Sequence, residues 1–349
     1  MGKKIVMRIM HLLNSNRYSG AENVVLQIIR NSPESIEAYY VSPRGEIEET
    51  LRREGINYLL IDKLSVHTIK ESIKKIKPDI IHAHDYTASI LSSMCFSNAK
   101  IISHLHNNAP WIKKICTYSV AYGLSTIVYS KILTVSDSIE NEYVFSKFIR
   151  KKIQCIGNPI NLHTIIEKSE EYKVEQTYDM VFIGRLTEAK NPEMLVEIIK
   201  KLIDLKKGIK IAIVGDGQLY TNVKKKLESY DNVKMYGFKS NPYPILKNAK
   251  VLCLPSKWEG FGLVAVEAMA LGVPVVCSGA GGLKDLINDS CGKICNNSDE
   301  YIEEISLLLD NREYYDIKSK AAFCRAKDLD NIDSYMNRVI MCYQSINKK

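Results

Sequence analysis

Short runs of β-branched and aliphatic residues alternate with helix-forming stretches along the chain, and this alternation limits the fold more than any other feature. The runs are KIVMRIM, AYYVS, NYLLI, DIIHAH, KIISHL and KILTVS in the first half, and DMVFIG, IKIAIVG, NVKMYG, KVLCLPS, VPVVCS and CGKIC in the second. Strands that are apolar on both faces and alternate with helices are typical of parallel sheets covered on both sides. The two sets of strands therefore predict two doubly wound α/β domains.

A charged and weakly periodic segment, GNPINLHTIIEKSEEYKVEQT, separates the two sets of strands. It begins near Pro159, and a proline restrains the residue before it and stops a strand. The length of 349 residues also suits two domains. We predict a first domain over residues 1–160 and a second over residues 161–327. Residues 328–349 have the apolar spacing of a helix and are predicted to pack back on the first domain.

Composition and cysteine pattern exclude several classes of protein. The chain is 46% hydrophobic and 25% charged, as in soluble globular proteins. Arg8 and His11 interrupt the apolar run at the start, which favours a first strand over a signal peptide. Nine irregularly spaced cysteines indicate a reducing compartment rather than a disulfide framework. Cys291 and Cys295 lack the partners of a zinc site and are interpreted as packing residues.

The positive charge lies almost entirely in the first half. Residues 1–160 contain 21 Lys and Arg against 14 Asp and Glu, which accounts for +7 of the net +8. The basic clusters lie at Lys74, Lys75 and Lys77, at Lys113 and Lys114 beside Trp111, and at Lys147, Arg150, Lys151 and Lys152. One interpretation is that these clusters are solvated helix faces. The other is that they contact anionic lipid or an anionic substrate. We hypothesise a cytoplasmic protein with peripheral contact at an anionic inner membrane, and no nucleic-acid partner, because no recognised nucleic-acid-binding module accompanies the charge.

Two cations follow the strand that ends at Gly184. Arg185 and Lys190 lie at the start of an amphipathic helix, where positive charge opposes the helix macrodipole. An anionic partner such as a diphosphate explains their position better than surface charge alone. Gly215 follows the next strand and permits close approach of backbone to a ligand. The glycines in residues 279–282 either offer amides to an anion or form a plain turn.

Two glutamates stand around the apolar segment KWEGFGLVAVEAMALGVPVV. Glycines on either side of Phe261 leave the mouth of the predicted helix open, so the backbone amides of Phe261 to Val264 can receive a phosphate. Glu267 lies one to two turns into the helix, so Glu259 and Glu267 serve different partners. Carboxylates accept hydrogen bonds from hydroxyl groups, so the two glutamates can hold two polyols on either side of a diphosphate. A molecule with this composition is a nucleotide sugar. The alternative is that Glu259 is a loop charge and Glu267 a partly exposed helix residue.

Four histidines lie at two neighbouring strand ends in the first half. They are His82, His84, His104 and His106. Alternation along a strand sends both members of each pair to the same face. Only Asp85 could add a carboxylate, so neutral imidazoles with hydrogen-bonding roles, or satisfied core side chains, are favoured over a metal site.

These motifs resemble the retaining glycosyltransferases of family 4, which have the GT-B fold of two doubly wound Rossmann-like domains facing a central cleft. The resemblance rests on SGAENV, GRLTEAKNPEML, IVGDGQL, NVKMYGF and above all PSKWEGFGLVAVEAMALGVPVV, and it spans nearly the whole chain. It implies that the first domain binds the acceptor and the second binds the nucleotide sugar.

By this resemblance, four residues have catalytic roles. Arg185 and Lys190 are implied to neutralise the donor diphosphate, Glu259 to contact the transferred sugar, and His106 to lie beside the reacting sugar. The residues implied to bind the donor are Gly20, Gly184, Arg185, Lys190, Gly215, Gly237, Phe238, Glu259, Phe261, Gly262, Leu263, Val264 and Glu267, of which Glu267 is implied to hold the ribose. The sequence departs from the family pattern at Ser19, where many relatives have glycine, and at the hinge GNPIN around Asn158.

The resemblance implies transfer of a sugar, with retention, from a nucleoside diphosphate donor, expected to be a UDP-sugar, to a glycan or polyprenyl-linked acceptor. The implied setting is bacterial surface polysaccharide synthesis: capsule, exopolysaccharide or lipopolysaccharide. No cofactor and no metal are expected, and the DLD at residues 328–330 is interpreted as solvent-facing. Two alternatives stay open: an epimerase or phosphorylase of the same fold, and a noncatalytic sugar-nucleotide-binding protein.

Overall fold

The computed structural model describes residues 6–17, 19–107 and 109–347. Residues 4, 5, 348 and 349, which the sequence places in the first strand and the terminal helix, lie outside the described residues. The chain divides into two compact units: Met1–Pro159 together with Ile332–Lys349, and Ile160–Asn331. The sequence predicts these divisions after residues 160 and 327.

The first unit is built on a parallel sheet. Its strands are β1 (Met7–Leu12), β2 (Ile36–Pro43), β3 (Tyr58–Ile61), β4 (Ile80–Ala83), β5 (Lys100–Leu105), β6 (Tyr129–Thr134) and β7 (Ile153–Cys155). Its helices are α1 (Gly20–Arg30), α2 (Ile47–Arg53), α3 (Val66–Ile76), α4 (Tyr86–Ser93), α5 (Thr117–Ser125), α6 (Asp137–Glu142) and α7 (Ser146–Ile149). The strand order is β3-β2-β1-β4-β5-β6-β7. The edge strand β7 was not predicted, because its residues, Ile153, Gln154 and Cys155, form no apolar run.

The second unit repeats the arrangement. Its strands are β8 (Tyr178–Ile183), β9 (Ile211–Val214), β10 (Val233–Gly237), β11 (Ala249–Leu254), β12 (Val275–Cys277) and β13 (Gly292–Ile294). Its helices are α8 (Leu162–Ser169), α9 (Pro192–Leu205), α10 (Tyr220–Leu227), α11 (Tyr243–Lys247), α12 (Leu263–Ala270), α13 (Leu283–Leu286), α14 (Ser298–Asp310) and α15 (Arg312–Leu329). The strand order is β10-β9-β8-β11-β12-β13, again all parallel.

Both sheets have the doubly wound topology that the strand pattern predicts, which confirms the predicted fold class. The order of strands reverses between β1 and β4 in the first sheet and between β8 and β11 in the second. In open α/β sheets the ligand crevice lies beyond the carboxyl ends of the strands at such a reversal. The ends of β8 and β11 therefore mark where a ligand is expected in the second unit.

The last helix, α16 (Ile332–Asn347), belongs to the first unit. Its side chains Tyr335, Val339 and Tyr343 are fully buried. The Tyr343 hydroxyl lies 2.7 Å from Nδ1 of His82, at the end of β4. The chain end is therefore anchored in the core of the first unit. None of the helices in the described residues has the length and apolar composition needed to cross a membrane.

Candidate active site

The loops after β8 and β11 meet at the carboxyl edge of the second sheet. The Lys257 amide donates to the Ala189 carbonyl at 2.8 Å, which joins the two loops. The Lys190 ammonium forms a hydrogen-bonded ion pair with Oε1 of Glu259, and both side chains are mostly buried. The Ser256 hydroxyl donates to the same carboxylate oxygen at 2.9 Å. Two residues with separate predicted roles, phosphate binding and sugar binding, are thus in direct contact.

Lys190 reaches this position by passing over Gly184. A Cβ atom on Gly184 would lie 3.5 Å from Cε of Lys190. Arg185 is exposed, and within the described residues its guanidinium has no hydrogen-bond or ion-pair partner. The structure therefore provides one cation that is held in place and one that is available to an anion at the end of β8.

Gly215 is required by the packing of the next loop. Its φ is +138°, and a Cβ atom there would lie 2.0 Å from the Gly184 carbonyl oxygen. Its amide donates to the Gly237 carbonyl at 2.8 Å. The predicted site residues Gly184, Gly215 and Gly237 are therefore neighbours along this edge. Phe238, next in the chain, is 44% exposed.

The N-terminus of α12 faces the same edge with unbonded amides. Gly262 caps the helix with φ +98°, a conformation that favours glycine. The Ala265 amide donates to the Gly262 carbonyl at 2.9 Å, whereas the amides of Leu263 and Val264 have no backbone acceptor in the described chain. The helix dipole and these amides together favour an anion at this position.

Glu267 lies in the core rather than on a partly exposed face. It is 9% exposed, and its Oε1 accepts a hydrogen bond of 2.9 Å from the Tyr243 hydroxyl. Burial raises the pKa of Glu267 to about 7, while the Tyr243 hydroxyl and the ammonium groups of Lys168 and Lys190 oppose the rise. A carboxyl group this costly to bury has a specific hydrogen-bonding role.

The glycines of residues 279–282 serve the Glu259 loop. A Cβ atom on Gly281, whose φ is +53°, would lie 1.8 Å from the Glu259 carbonyl oxygen. The Gly282 amide donates to the Gly260 carbonyl at 3.2 Å. The sequence left open two interpretations, amides offered to an anion and a plain turn, and these contacts favour the turn because they pack the segment closely against the Glu259 loop.

The first unit gathers five imidazoles at the carboxyl ends of β1, β4 and β5. Nδ1 of His11 lies 2.9 Å from Nε2 of His84, and Nδ1 of His84 lies 3.1 Å from Nε2 of His106. Nε2 of His82 lies 3.2 Å from Nδ1 of His104. The rings of His82 and His84 stack with centroids 4.1 Å apart.

All five imidazoles are neutral at physiological pH. Burial lowers the pKa of His11 and of His106 to about 3. Burial, followed by repulsion between the imidazoles, lowers the pKa of His82, His84 and His104 well below the ordinary value. The prediction of neutral, hydrogen-bonded imidazoles agrees with this geometry.

The same cluster contains two sets of three imidazoles whose ligand atoms lie within 4.8 Å of one another: His11, His82 and His84, and His84, His104 and His106. No carboxylate belongs to either set. Asp85 instead caps α4, accepting from the Ala88 amide at 2.7 Å. The absence of a metal from the mechanism stays a prediction.

The remaining predicted residues lie apart from these contacts. Gly20 is the exposed first residue of α1, and the Ser19 hydroxyl donates to the Glu22 carboxylate. Asn158 is buried. Cys291 and Cys295 are buried free thiols, as packing residues are, and Asp328 and Asp330 are exposed.

Several residues that complete these sites were not predicted from the sequence. Tyr243 and Tyr343 are single polar residues without a motif, and Ser256 lies within the PSKWEGFG motif but was given no role. His11 was noted only as an interruption of an apolar run. A shallow cavity of about 570 Å³ between the segments around Tyr172 and Tyr236 contains none of the predicted site residues.

Solved structures show the class of fold. Anabaena HepE, solved in complex with UDP and glucose, superposes with a TM-score of 0.84 at 17% identity, over 97% of this chain and 100% of that one. The lipopolysaccharide outer core galactosyltransferase WaaB superposes with a TM-score of 0.61 at 18% identity, over 93% of this chain and 99% of that one. The two doubly wound units have the GT-B fold.

The family follows from the sequence. Residues 18–164 match the family model Glycosyltransferase Family 4, and residues 164–323 match Glycosyl transferases group 1. The chain belongs to the glycosyltransferases of the family 4 type. The resemblance noted in the motifs is thereby confirmed.

Relatives of assigned and unassigned activity are similar over much of their length. A Campylobacter jejuni N-acetylgalactosaminyltransferase, whose name specifies an undecaprenol-linked acceptor, is 29% identical over 75% of this chain and 74% of its own. The Escherichia coli UDP-Gal:alpha-D-GlcNAc-diphosphoundecaprenol alpha-1,3-galactosyltransferase is 26% identical over 73% and 72%. An uncharacterized 41.2 kDa protein in the cps region of Klebsiella pneumoniae is 25% identical over 97% and 100%.

Proposed function

We propose that this glycosyltransferase moves a sugar from a UDP-sugar to a hydroxyl of a lipid-linked glycan, with retention at the anomeric carbon, during assembly of a bacterial surface polysaccharide. One observation carries the proposal. The Lys190–Glu259 ion pair, the open amides of α12 and the buried Glu267 lie on loops and a helix that follow β8 and β11, where the strand order reverses. The second unit is the donor-binding domain in this proposal.

The donor chemistry follows from these groups. A diphosphate can take hydrogen bonds from Arg185, Lys190 and the amides of Leu263 and Val264. Glu267 accepts from ribose hydroxyls, which are donors that an ionised carboxylate can satisfy. Gly237 and Phe238 are proposed to contact the base. UDP is the nucleotide named for HepE and, as UDP-Gal, for the Escherichia coli relative.

The reaction exchanges one bond for another at the anomeric carbon. The bond to the phosphate oxygen breaks, the acceptor oxygen bonds to the same face, and the acceptor proton goes to the departing phosphate. Glu259 is held by Lys190 and Ser256, which suits a residue that binds sugar hydroxyls and not a free nucleophile. His106 is neutral and serves as a hydrogen-bonding partner of the sugar.

Metal ions and cofactors have no part in the proposed reaction. The charge that develops on the departing diphosphate is stabilised by the cations of Arg185 and Lys190 and by the helix amides, which are oriented before the bond breaks. Arg185 and Lys190 thus take the role that a divalent cation has in other phosphate-transfer sites.

The acceptor is proposed from the relatives. Two of them carry names with an undecaprenol-linked acceptor, and a third is encoded in a cps region. A lipid-linked acceptor lies at the inner face of the plasma membrane, and the basic first unit suits contact with that face. The first unit is the acceptor-binding domain in this proposal.

A panel of UDP-sugars tests the proposal. A donor that binds only the folded protein raises the unfolding temperature, and a concentration of a hundred times Kd adds about 2.7 kcal/mol to stability. Arg185→Ala and Glu267→Ala are expected to abolish the shift, whereas Arg312→Ala, an exposed arginine on α15, is expected to retain it. NMR of the product with a polyprenyl-linked acceptor should show a retained anomeric configuration.

Three results would contradict the proposal. An altered sugar nucleotide formed from donor alone would indicate an epimerase. Sugar 1-phosphate released in the presence of inorganic phosphate would indicate a phosphorylase. Donor binding without transfer to any acceptor in a pool of glycans and lipid-linked saccharides would indicate a binding protein.

A further inference from the structure

Exposed apolar side chains are concentrated in one part of the first unit. Ten large apolar side chains in the described residues are more than half exposed, and six of them lie within residues 115–148. The six are Ile115, Tyr118, Leu124, Ile127, Val128 and Phe148, with exposures from 51% to 87%. This segment is about a tenth of the chain, so the concentration is far above an even distribution. Large apolar side chains exposed together in one segment indicate an interaction site.

The packing of α5 explains why these side chains face outward. Ser119 and Tyr122 are fully buried, and the Tyr122 hydroxyl lies 2.9 Å from the Ser103 hydroxyl on β5. Leu124 and Val120, four residues apart, lie on the opposite side of the helix and are exposed. The apolar face of α5 is thus the face that its own sheet does not cover.

Three contacts hold the neighbouring segments beside α5. The Tyr143 hydroxyl donates to the Ser119 carbonyl at 2.7 Å. The Val144 amide donates to the Ile112 carbonyl at 2.9 Å. The Lys152 ammonium donates to the Thr126 and Ile127 carbonyls at 2.7 and 2.9 Å, just beyond the end of α5. Residues 111–128 and 143–152 therefore form one surface, here called the α5 face.

The charge around the α5 face is positive. Residues 111–152 contain seven Lys and Arg against three Asp and Glu. Lys113 pairs with Glu142 and Arg150 with Glu140. Lys114, Lys147 and Lys151 are exposed and have no carboxylate partner within the described residues. Long cationic side chains beside exposed apolar ones are typical of surfaces that lie in the headgroup region of anionic membranes.

We propose that the α5 face docks on an anionic lipid bilayer. Ile127, Phe148 and Leu124 enter the boundary between headgroups and acyl chains, and Lys114, Lys147 and Lys151 contact the lipid phosphates. An anionic bilayer fits this surface because exposed lysines without carboxylate partners lie beside exposed apolar side chains. The inference names the surface behind the membrane contact in the proposed function, and it does not depend on the donor chemistry.

Cosedimentation of the full chain with vesicles tests the inference. We expect binding to phosphatidylcholine vesicles with about 30% phosphatidylglycerol at low salt, and weak binding to phosphatidylcholine alone. Ile127→Ser with Phe148→Ser is expected to weaken binding about tenfold or more. The matched control is Leu205→Ser with Ile317→Ser, which changes side chains that are 62% and 60% exposed in the second unit.

A charge variant separates the electrostatic contribution to vesicle binding from the apolar contribution. Lys114→Glu with Lys147→Glu and Lys151→Glu is expected to abolish the dependence of binding on phosphatidylglycerol, whereas Lys224→Glu with Lys225→Glu on α10 is expected to leave it intact. With Trp258 replaced by Phe, Trp111 is the sole tryptophan. Its emission should shift to shorter wavelength on addition of anionic vesicles, because it belongs to the α5 face.

Absence of vesicle binding at low salt overturns the inference, as does equal binding by the apolar variant and its control. Loss of a concentration-dependent dimer in the Ile127 and Phe148 variant, without vesicle binding by the wild type, would assign the face to self-association. UDP-sugar thermal shifts are measured in parallel. If the protein binds vesicles but UDP-sugars do not raise its unfolding temperature, the donor assignment is wrong and the proposal for the α5 face is retained.

Discussion

The imidazole of His84 bonds through Nδ1 to Nε2 of His106 at 3.1 Å, and through Nε2 to Nδ1 of His11 at 2.9 Å. A neutral imidazole has one N–H and one lone pair, so the protons in this row of three imidazoles can all point toward His106 or all point toward His11. Nε2 of His11 is buried and has no partner among the described residues. A buried donor without an acceptor is the costlier case, so we expect that atom to carry the lone pair.

The proton order fixes the tautomer of His106. With the lone pair on Nε2 of His11, Nδ1 of His11 donates to Nε2 of His84, and Nδ1 of His84 donates to Nε2 of His106. Nδ1 of His106 therefore carries its proton. Nitrogen-15 NMR of the histidine side chains should therefore show His106 as the Nδ1–H tautomer. A signal of the Nε2–H tautomer, or of an imidazolium, would contradict this assignment.

Removing the hydrogen bond between His84 and His106 tests whether the orientation of His106 affects turnover. His84→Phe keeps a ring in the stack but loses both hydrogen bonds, so we expect kcat to fall about tenfold with little change in KM for the donor. His84→Gln should recover part of the loss because an amide can donate and accept. His163→Phe, at an exposed histidine in the second unit, is the control and should leave kcat unchanged. Equal losses in kcat and in donor affinity would point to a structural effect.

The pH dependence of the reaction should come from Glu267 and not from a histidine. The pKa of Glu267 is raised to about 7, and its ionised form is the better acceptor for ribose hydroxyls. We therefore expect kcat/KM for the donor to rise as pH increases through about 7. Because the pKa of His106 is about 3, kcat should show no imidazole titration near neutrality. A pH profile of kcat/KM that stays unchanged in Glu267→Gln would refute the assignment.

The same carboxyl group should lower stability as pH rises. The pKa of Glu267 in the folded protein lies above the ordinary 4.5. The stability that the group contributes is therefore fully present below pH 4.5 and is lost as pH rises through about 7. Glu267→Gln retains an acceptor for Tyr243 and has no charge to bury. At pH 8 we expect the variant to be about 2–3 kcal/mol more stable than the wild type by urea unfolding, with a smaller difference at pH 5. Glu303→Gln, at an exposed position on α14, should show neither effect.

The fold could be predicted from the sequence because every strand of the two parallel sheets except β7 lies in a local apolar run between helical stretches. The site was legible only in part. Gly215, Gly262 and Arg185 stand at strand or helix ends, which the chain order reveals. The pairing of Lys190 with Glu259 joins loops 69 residues apart, and no local pattern encodes it.

Residues without a motif were missed for the same reason. Tyr243 meets Glu267 across two helices, and His11 meets His84 only when β1 and β4 pair. The burial of Glu267 argues against the alternative of a partly exposed helix residue, although a glutamate within a helix is usually exposed. It follows from α12, whose residues from Ala265 to Ala270 are all buried.

Chelation tests the proposed independence from metal. In the proposed mechanism Arg185, Lys190 and the α12 amides supply the charge stabilisation, so turnover after dialysis against EDTA should equal that of untreated enzyme. If activity is lost and returns with a divalent cation, the mechanism proposed here is wrong. The imidazole cluster is then the first location to examine, because its two sets of three nitrogens lie within 4.8 Å. His82→Phe, which leaves His106 in place, should in that case lower the affinity for the metal.

The ion pair between Lys190 and Glu259 allows structural and catalytic effects to be separated. Lys190→Met leaves a mostly buried carboxylate without its cation, and we expect a loss of about 2–3 kcal/mol in the free energy of unfolding. The double variant Lys190→Met with Glu259→Gln removes both charges and should recover most of that stability, because the uncompensated charge is gone. Turnover should stay low in both variants, since the diphosphate loses a cation in each. Urea unfolding and initial rates, measured on the same preparations, give the comparison. Recovery of turnover together with stability in the double variant would show that the pair acts on folding alone.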